Sequence, residues 1–410
     1  MRNGGRRQRS GWRGSWRSWV MRELDWVPLS DLVQVNPRPR PSGDTVPYVG
    51  MEDVSNDGQL LRVTERAATS VSAGQPSFED DDILFAKITP CMENGKGAYV
   101  AGLNGRVAYG STEFHVLRAH PGVHAKFIHH WTMTREFRRK AESMMTGTGG
   151  QRRVPADFFT RLQVPLLSFD HQRRIARALD TITESEQAIS ASIRKLHLSR
   201  HASIESMLSE MYSTAPLISL SEVAEVERGK FSARPRNDPS YFGGEYCFIQ
   251  TGDITQANGN VITDASQHLN SRGLKVSREF PPGTVAVTIA ANIGETAILG
   301  KSMCFPDSVV GVSPHEGFES RFLERCINRF QPLLEAQAPQ SAQKNINLQH
   351  LRPLPIPHVP INKQRYFLSV WEGYERRLLF ASRELAKLHK LKGGLADDLL
   401  TGKVRFSGSS

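Results

Sequence analysis

Apolar residues along this chain form two series of similar order, and each series ends in a long amphipathic helix. Residues 161–175, RLQVPLLSFDHQRRI, contain a short apolar strand bounded by proline, then a polar hinge, then the start of a helix. Residues 353–367, PLPIPHVPINKQRYF, have the same order, with Gln364 in the place of Gln172. A pattern that recurs at this distance predicts one structural unit present twice.

Both predicted helices carry an apolar stripe with alternating spacings of four and three residues. Such heptads flanked by charge predict a coiled-coil seam, and because each helix alone would expose its stripe, the two helices are expected to pair. Glu186 interrupts the stripe of the first helix. The positions are Ile175, Leu179, Ile182, Ile189, Ile193 and Leu196, then Phe367, Trp371, Tyr374, Leu378, Ala381, Leu385, Leu388, Leu395 and Leu399.

Short apolar runs before each helix predict a small domain of strands and turns. Ser30 and Ser221 occupy matching places at which either could cap a single helical turn. Further on, period-two alternation predicts a strand in each half, ended by a polar loop. The alignment sets Leu84, Ala86 and Ile88 on Val285, Val287 and Ile289.

Two polar loops in each half are candidates for binding a partner. The loops that follow the aligned strands hold Asn and Gly, and an asparagine amide can pair with a base edge in two places. An ordinary glycine-bearing hairpin turn fits the same spacing. The other loops, around Arg152 and around Lys344, present Gln, Arg, Lys and Asn, which suit bases and phosphates.

A helical stretch follows from Ala125, with a partner from Glu319. Its basic cluster is expected to form a solvated face, and the adjacent His129 and His130 have no further ligand at metal-binding spacing. The cluster comprises Arg135, Arg138, Arg139 and Lys140.

The chain of 410 residues, 39% hydrophobic, can support two cores. The patterns predict an α+β fold with two tandem globular domains, each followed by a long helix. The expected boundaries are 1–20 for a tail, 21–167 for the first domain, 168–213 for the first helix, 214–358 for the second domain, 359–402 for the second helix and 403–410 for a tail.

The net charge of +10 is concentrated at the two ends. Residues 1–20 contribute +6, residues 21–213 sum to zero, residues 214–358 to −1 and residues 359–410 to +5. Because the predicted domains are near neutral, any nucleic-acid site must be a local patch. Residues 1–20 are interpreted either as a disordered basic tail or as a segment before a true start at Met21.

Several classes of protein are disfavoured by what the sequence lacks. No apolar run approaches the ~20 residues of a membrane span. The four cysteines, without a CxxC pair or a histidine at zinc-ligand spacing, predict reduced buried thiols and no metal site. Neither a phosphate-binding loop nor a dinucleotide fingerprint is present, and Arg38 breaks an adenine-methylase motif that would begin at Asn36-Pro37. A non-catalytic binding protein is expected.

Four motifs together resemble the DNA-specificity subunit of type I restriction–modification systems. They are FAKITPCMENGKGA at 85–98, VPLLSFDHQRRIARALD at 164–180, IPHVPINKQRYF at 356–367 and LLTGKV at 399–404. The resemblance covers nearly the whole chain from about Met21. The second domain has ANIGE where the first has CMENGKG, so the base contacts of the two should differ.

The resemblance implies two target-recognition domains, each reading one half of a split, asymmetric site in double-stranded DNA. It implies that the two helices pair antiparallel as a coiled-coil spacer, which would set the half-sites about one helical turn apart. It also implies a cytoplasmic, non-catalytic subunit that docks two methylase subunits. Those subunits bind S-adenosylmethionine and methylate adenine, and motor–nuclease subunits complete a restricting complex.

Two other functions stay open on the sequence. One is a stand-alone DNA-binding regulator, which the apolar heptad faces disfavour, and the other is a fusion of methylase and specificity subunit, for which a catalytic motif is missing. If the chain is a DNA-specificity subunit, the predicted DNA contacts are Lys87, Asn94, Lys96, Arg152, Arg153, Asn292, Lys344 and Asn345.

Overall fold

In a computed structural model, the chain is described over residues 25–72, 74–148, 150–338 and 345–404. The expectations for residues 1–20 and for Lys344 therefore lie outside the described residues. The chain divides into two compact units. The first unit runs to Ile189 and includes the residues from Glu384 onward, and the second unit spans Ser190–Arg383.

The first unit consists of short strands, three short helices and parts of two long ones. Its strands are β1 Trp26–Pro28, β2 Val33–Val35, β3 Thr45–Val49, β4 Thr64–Ala67, β5 Ser77–Phe78, β6 Ile83–Ala86, β7 Gly97–Tyr99, β8 Ala108–Gly110, β9 Phe114–Ala119 and β10 Gln163–Pro165. Its helices are α1 Ala125–Met133, α2 Arg135–Ser143, α3 Phe158–Arg161 and the beginning of α4 Phe169–Thr214.

The second unit repeats this sequence of elements and begins within α4. Its strands are β11 Leu217–Ser219, β12 Ala224–Arg228, β13 Phe242–Phe248, β14 Val261–Ile262, β15 Gln267–Leu269, β16 Glu279–Phe280, β17 Val285–Thr288, β18 Thr296–Leu299, β19 Met303–Cys304, β20 Val309–Pro314 and β21 Pro355–Pro357. Its helices are α5 Leu220–Val223, α6 Thr251–Ala257, α7 Ser271–Lys275, α8 Ser320–Arg329, α9 Gln331–Gln337, α10 Leu348–Leu351 and α11 Ile361–Leu400, which continues into the first unit.

Strand order confirms the predicted repetition. The first unit has the sheets β1-β10, β2-β9-β6-β7 and β4-β3-β8-β5. The second has β11-β21, β12-β20-β17-β18-β14 and β15-β13-β19-β16, so it differs by one added edge strand. A parallel pair, β3 with β8 and β13 with β19, occurs at the same place in each. The fold class predicted from the sequence is confirmed.

The alignment of the two central strands was wrong by one residue. Ile83 packs in the core that contains α1 and α2, as Val285 packs in the core that contains α8, whereas Leu84 faces the opposite core. The correct pairing sets Ile83 on Val285, and Lys87 therefore corresponds to Ile289. Both faces of β6 are buried, so its side chains are apolar without alternation and the sequence carries no register signal.

The predicted helix caps were also wrong. Ser30 lies inside the 3-10 turn Leu29–Asp31, whose N-terminal flanking residue is Pro28. In the second unit the cap is Ser219, two residues before Ser221, and its backbone N–H donates to Glu222 Oε2 at 2.8 Å.

The long helices pair within each unit. In the first unit Ile175 and Leu179 of α4 share a core with Leu399 and Leu400 of α11. In the second unit Ile204 and Leu208 of α4 share a core with Phe367 of α11. The early part of one helix thus meets the late part of the other, which confirms the predicted antiparallel coiled coil.

Glu186, which interrupts the heptads of α4, is buried in the seam and binds Lys392 of α11. Its Oε2 lies 2.9 Å from Lys392 Nζ within the first unit. A buried ion pair at a seam position disfavours other registers of the two helices.

Gln172 and Gln364 join each long helix to its globular domain. Both side chains are buried, at 2% and 0% exposure. The amide oxygen of Gln172 accepts the backbone N–H of His124, just before α1, at 2.8 Å. The amide oxygen of Gln364 accepts that of Glu319, just before α8, at 3.0 Å. Each amide nitrogen donates to a carbonyl of the hinge that precedes its helix.

Across the described residues, no helix has the length and apolar content needed to cross a membrane. All four cysteines are free thiols as predicted, and Cys247, Cys304 and Cys326 are buried while Cys91 is half-buried.

Candidate nucleic-acid interface

The two predicted loops of the first unit meet beyond the end of β6. We call residues 87–96, 146–148 and 150–154 together the first junction. The backbone N–H of Val154 donates to the carbonyl of Lys87 at 2.9 Å, and that of Thr89 donates to the carbonyl of Arg152 at 3.0 Å. These bonds hold the second loop across the first, so side chains from residues far apart along the chain lie close together.

Both arginines of the first junction are paired with carboxylates. Arg153 binds Glu113 through two bonds, Nε to Oε2 at 3.0 Å and Nη2 to Oε1 at 2.9 Å. Arg152 makes a single bond to Glu93, from Nη2 to Oε1 at 3.1 Å. Both guanidinium groups are partly exposed. Arg152 therefore retains more free donors for a phosphate than Arg153 does.

Lys87 lies beside the Arg153–Glu113 pair and is half-buried. Burial lowers the pKa of its ammonium, Glu113 opposes that shift and Arg153 adds to it. The first junction therefore gathers three cations, Lys87, Arg152 and Arg153, around the carboxylates Glu93 and Glu113. A cationic patch of this kind attracts phosphate within about a Debye length.

Arg138 of α2 binds the backbone of the first loop, residues 87–96. Its guanidinium donates to the carbonyls of Met92 at 3.0 Å, Lys96 at 3.2 Å and Gly95 at 3.2 Å, and Nε donates to that of Thr132 at 2.7 Å. Only 8% of Arg138 is exposed, so the expectation of a solvated face is wrong at this position. Burial lowers its pKa to about 9, which leaves the guanidinium charged at neutral pH.

Two further predicted contacts lie on that loop and face different surroundings. Asn94 is exposed, and its backbone N–H donates to the carbonyl of Pro90 at 2.9 Å. The ammonium of Lys96 instead donates to the carbonyl of Met51 at 2.6 Å and so already binds the protein. Gly95 between them has φ of +89°, and a Cβ there would lie 2.5 Å from the Asn56 carbonyl oxygen. Only glycine fits this turn.

The second unit builds the same backbone arrangement with other side chains. We call residues 289–295 and 345–347 the second junction. The backbone N–H of Ile346 donates to the carbonyl of Ile289 at 2.9 Å, and Ala290 forms a bridge with Asn345. Asn345 and Asn292 are both exposed, and Asn292 Nδ2 donates to Thr255 Oγ1 at 3.1 Å.

The structure thus brings the predicted contact residues of each half to one place, with Lys344 outside the described residues. Their role in binding DNA stays a prediction. The role of Arg138 in binding the first loop was missed. The sequence does carry a signal for it, because Arg138 lies on the helical stripe of Thr134, Phe137 and Ala141. Glu93 and Glu113 gave no such signal, since their pairing with arginine depends on the tertiary fold.

Comparison with protein families finds a match in the second half of the chain. Residues 216–388 match a family described as the type I restriction modification DNA specificity domain. The specificity subunits of the Escherichia coli type I restriction enzymes EcoEI and EcoAI are 35% and 32% identical to this chain over 156 and 155 residues. These matches take in 37% of this chain, and the chain covers 26% of the length of each relative.

Solved structures share the fold over most of the chain. A structure from a study of assembly and conformational transition of the type I R-M system has a TM-score of 0.63 at 16% identity, covering 93% of this chain and 98% of that chain. The HsdS subunit from Thermoanaerobacter tengcongensis has a TM-score of 0.53 at 17% identity, covering 93% and 97%. The S subunit from M. genitalium has a TM-score of 0.54 at 13% identity, covering 92% and 97%. The resemblance identified from the sequence motifs is confirmed.

Proposed function

We propose that this chain, whose second domain matches the type I restriction modification DNA specificity domain, is the DNA-recognition subunit of a type I restriction–modification complex. Each unit reads one half of a split site, through the first junction in one half and the second junction in the other. The chain carries no catalytic step itself. Its role belongs in the cytoplasm, together with the DNA of the cell.

One observation carries this proposal: the same loop junction is built twice on matching sheets, with unlike side chains. Lys87 corresponds to Ile289, and the neighbouring loop presents Arg153 in one unit and Asn345 in the other. Two readers with the same backbone but different donors and acceptors suit an asymmetric site. Repeated identical readers would instead suit a palindrome.

Chemistry in the complex comes from other subunits. Two methylase subunits dock on the chain, bind S-adenosylmethionine and transfer its methyl group to adenine, and motor–nuclease subunits join in a restricting form. The near-neutral domains leave much of the phosphate neutralisation to these partners. The isolated chain should therefore bind DNA weakly, and its affinity should fall steeply with salt. Nanomolar specific binding by the isolated chain at physiological salt would contradict this expectation.

The test is co-expression of this chain with the methylase subunits of its host, followed by long-read sequencing for methylated adenine. We expect methylation at two short half-sites separated by a fixed gap, and only when the chain is present. Exchange of the first unit's loops 87–96 and 146–154 should change one half-site and leave the other unchanged. Methylation that does not depend on this chain would contradict the proposal.

Two outcomes would favour other functions. Affinity capture from the native host that recovers DNA but no methylase would indicate a stand-alone DNA-binding regulator. Methyl transfer by the purified chain alone would indicate a fused methylase.

A further inference from the structure

Three unlike metal-binding atoms of the second unit lie close together at the sheet β15-β13-β19-β16. Cys247 lies on β13 and His268 on β15, and the two residues are directly opposite one another in the antiparallel pair. Opposed residues of this kind point to the same face of a sheet. Asp264 precedes His268 by four residues and reaches the same point from the connecting turn.

The distances among these atoms are uniform. Cys247 Sγ lies 3.3 Å from Asp264 Oδ1 and 3.5 Å from His268 Nε2, and His268 Nε2 lies 3.1 Å from Asp264 Oδ1. Zinc bonds of about 2.3 Å to sulfur and 2.0–2.2 Å to nitrogen or oxygen, set at tetrahedral angles, separate the bound atoms by roughly 3.3–3.6 Å. The three atoms need to move by only a few tenths of an ångström to fill three corners of a tetrahedron around an ion, and solvent water would supply the fourth ligand.

We propose that Cys247, Asp264 and His268 form a zinc-binding site that ties β15 to β13. The proposal stands on these three residues and does not depend on the proposed role in DNA recognition. It also revises the expectation from the sequence, in which Cys247 was an inert buried thiol without a histidine at ligand spacing. The spacing along the chain does not show the site because the cross-strand pairing creates it.

A catalytic nucleophile and a plain hydrogen-bond network both fit the geometry of the cluster less well than a metal site. A nucleophile activated by a histidine uses one ring nitrogen for the thiol and the other for the carboxylate. Here Nε2 is the nearest ring nitrogen to both Cys247 and Asp264. A network of hydrogen bonds alone would send three donors, from Cys247, His268 and Lys301, to the single oxygen Oδ1 of Asp264.

The site is accessible from solvent. Asp264 and His268 have side-chain exposures of 71% and 32%, so an ion can enter from solvent. At neutral pH an ordinary carboxyl group is ionised and an ordinary thiol keeps its proton until a metal binds.

Binding must therefore displace protons. The thiol of Cys247 loses its proton to solvent as Sγ bonds to the ion, and His268 binds through the lone pair of Nε2 with its proton on Nδ1. Zinc affinity should rise with pH, because ligands must be deprotonated. Lys301, with Nζ 3.4 Å from Asp264 Oδ1, competes with the ion for this carboxylate.

The test is titration of the full chain, reduced and without a metal-binding tag, with Zn²⁺ and with Co²⁺. We expect one equivalent to bind, with a thiolate-to-cobalt charge-transfer band and the intense visible bands of tetrahedral cobalt. Cys247→Ser should remove the charge-transfer band and weaken binding by about 100-fold or more. Cys304→Ser is the matched control, since Cys304 is also buried in this sheet, and should leave binding unchanged.

One exposed position keeps the test independent of folding. Asp264→Asn should weaken Zn²⁺ binding by about tenfold or more. The absence of a thiolate-to-cobalt band at one equivalent, or binding that survives both Cys247→Ser and Asp264→Asn, would overturn the proposal.

Discussion

The first and second junctions have the same backbone arrangement but different kinds of polar side chain. The first is held by ionic contacts, with Arg153 on Glu113 and Arg152 on Glu93. The described part of the second presents asparagine amides, Asn292 and Asn345, and has Ile289 in the place of Lys87. Backbone hydrogen bonds position the loops of both junctions, and these bonds do not depend on side-chain identity. The side chains of the two junctions can therefore differ while the loop arrangement stays the same.

The side chains that bind the backbone of the two loops also differ. The guanidinium of Arg138 binds three carbonyls of the first loop, whereas in the second loop the carbonyls of Asn292 and Glu295 accept the hydroxyl of Thr288. By contrast, Gln172 and Gln364 are the same residue and bind matching backbone groups, and Gln364 makes one further bond, to the carbonyl of Gly317 at 2.9 Å. The attachment of each domain to its helix is common to both units, and the support of the loop is not.

The largest effect is expected from Arg138→Met. The substitution leaves the carbonyls of Met92, Gly95 and Lys96 without a buried donor, which should cost about 3 kcal/mol in the free energy of unfolding of the first unit. Denaturant unfolding and hydrogen exchange measure it, with faster exchange at residues 92–97. In the control variant Arg139→Met, at the exposed neighbouring position of the same helix, exchange at these residues should change little. Equal loosening of the loop in both variants would show that the bonds from Arg138 do not hold it.

Gln172→Ala and Gln364→Ala should have similar effects, because the two amides share two equivalent bonds, and the further bond of Gln364 to Gly317 should make its loss slightly larger. Each variant should lower the free energy of unfolding of its unit by about 2 kcal/mol, through lost bonds to buried backbone groups. Calorimetry of the full chain with each single variant measures this. A loss confined to one of the two variants would show that the joints are not equivalent.

A further difference lies in how α4 and α11 are held against the domains. In the first unit Asp180 of α4 binds Lys126 and His130 of α1, both at 2.8 Å, whereas in the second Arg325 of α8 lies 4.4 Å from the centre of the Trp371 ring of α11. Burial alone would raise the pKa of Asp180, but the bonds from His130 and Lys126 outweigh it and hold the pKa at about 2.

Asp180 should therefore make the first unit sensitive to acid. Its folded-state pKa is below the unfolded value, so its contribution is present above about pH 4 and is lost as the pH falls towards 2. Asp180→Asn should lower the free energy of unfolding by roughly 1–2 kcal/mol at neutral pH, with the difference from the wild type vanishing near pH 2. Asp170→Asn, at an exposed position of the same helix, is the control. A constant difference across this pH range would exclude an ionic origin of the effect.

The smallest effect concerns DNA and follows from the proposed function. Arg152→Ala should weaken DNA binding of the assembled complex by about 1 kcal/mol and reduce the salt slope by about one, whereas Asn345→Ala should relax base preference with the slope unchanged. Lys344→Ala, predicted from the sequence, should act like Arg152→Ala. Fluorescence anisotropy at several salt concentrations distinguishes these outcomes.

Methylase assembly provides the contrast for that experiment. None of the three loop variants should alter assembly, whereas Leu385→Asp in the heptad stripe should lose assembly first. Loss of assembly in Arg152→Ala would show that the loop is not a DNA reader.

Contacts between residues near in sequence were the most predictable. The heptads on α4 and α11, the hinge before each helix and the glycine-bearing loops all depend on spacings of a few residues, and each appears in the structure. Even Arg138 could have been found from its place on a buried helical stripe. Lys96 could not, because its partner is the Met51 carbonyl, 45 residues away on another element.

By itself, the sequence determined that one unit occurs twice, that its loops carry polar side chains and that two long helices pair, because apolar periodicity and turn residues are local properties. The tertiary structure alone decided how the residues of β6 in the first unit align with those of β17 in the second. It also decided which polar side chains stay exposed and which bind the backbone of the protein, and it brought Cys247 next to His268. Strands buried on both faces carry no alternation, and cross-strand neighbours are set by pairing over long distances along the chain.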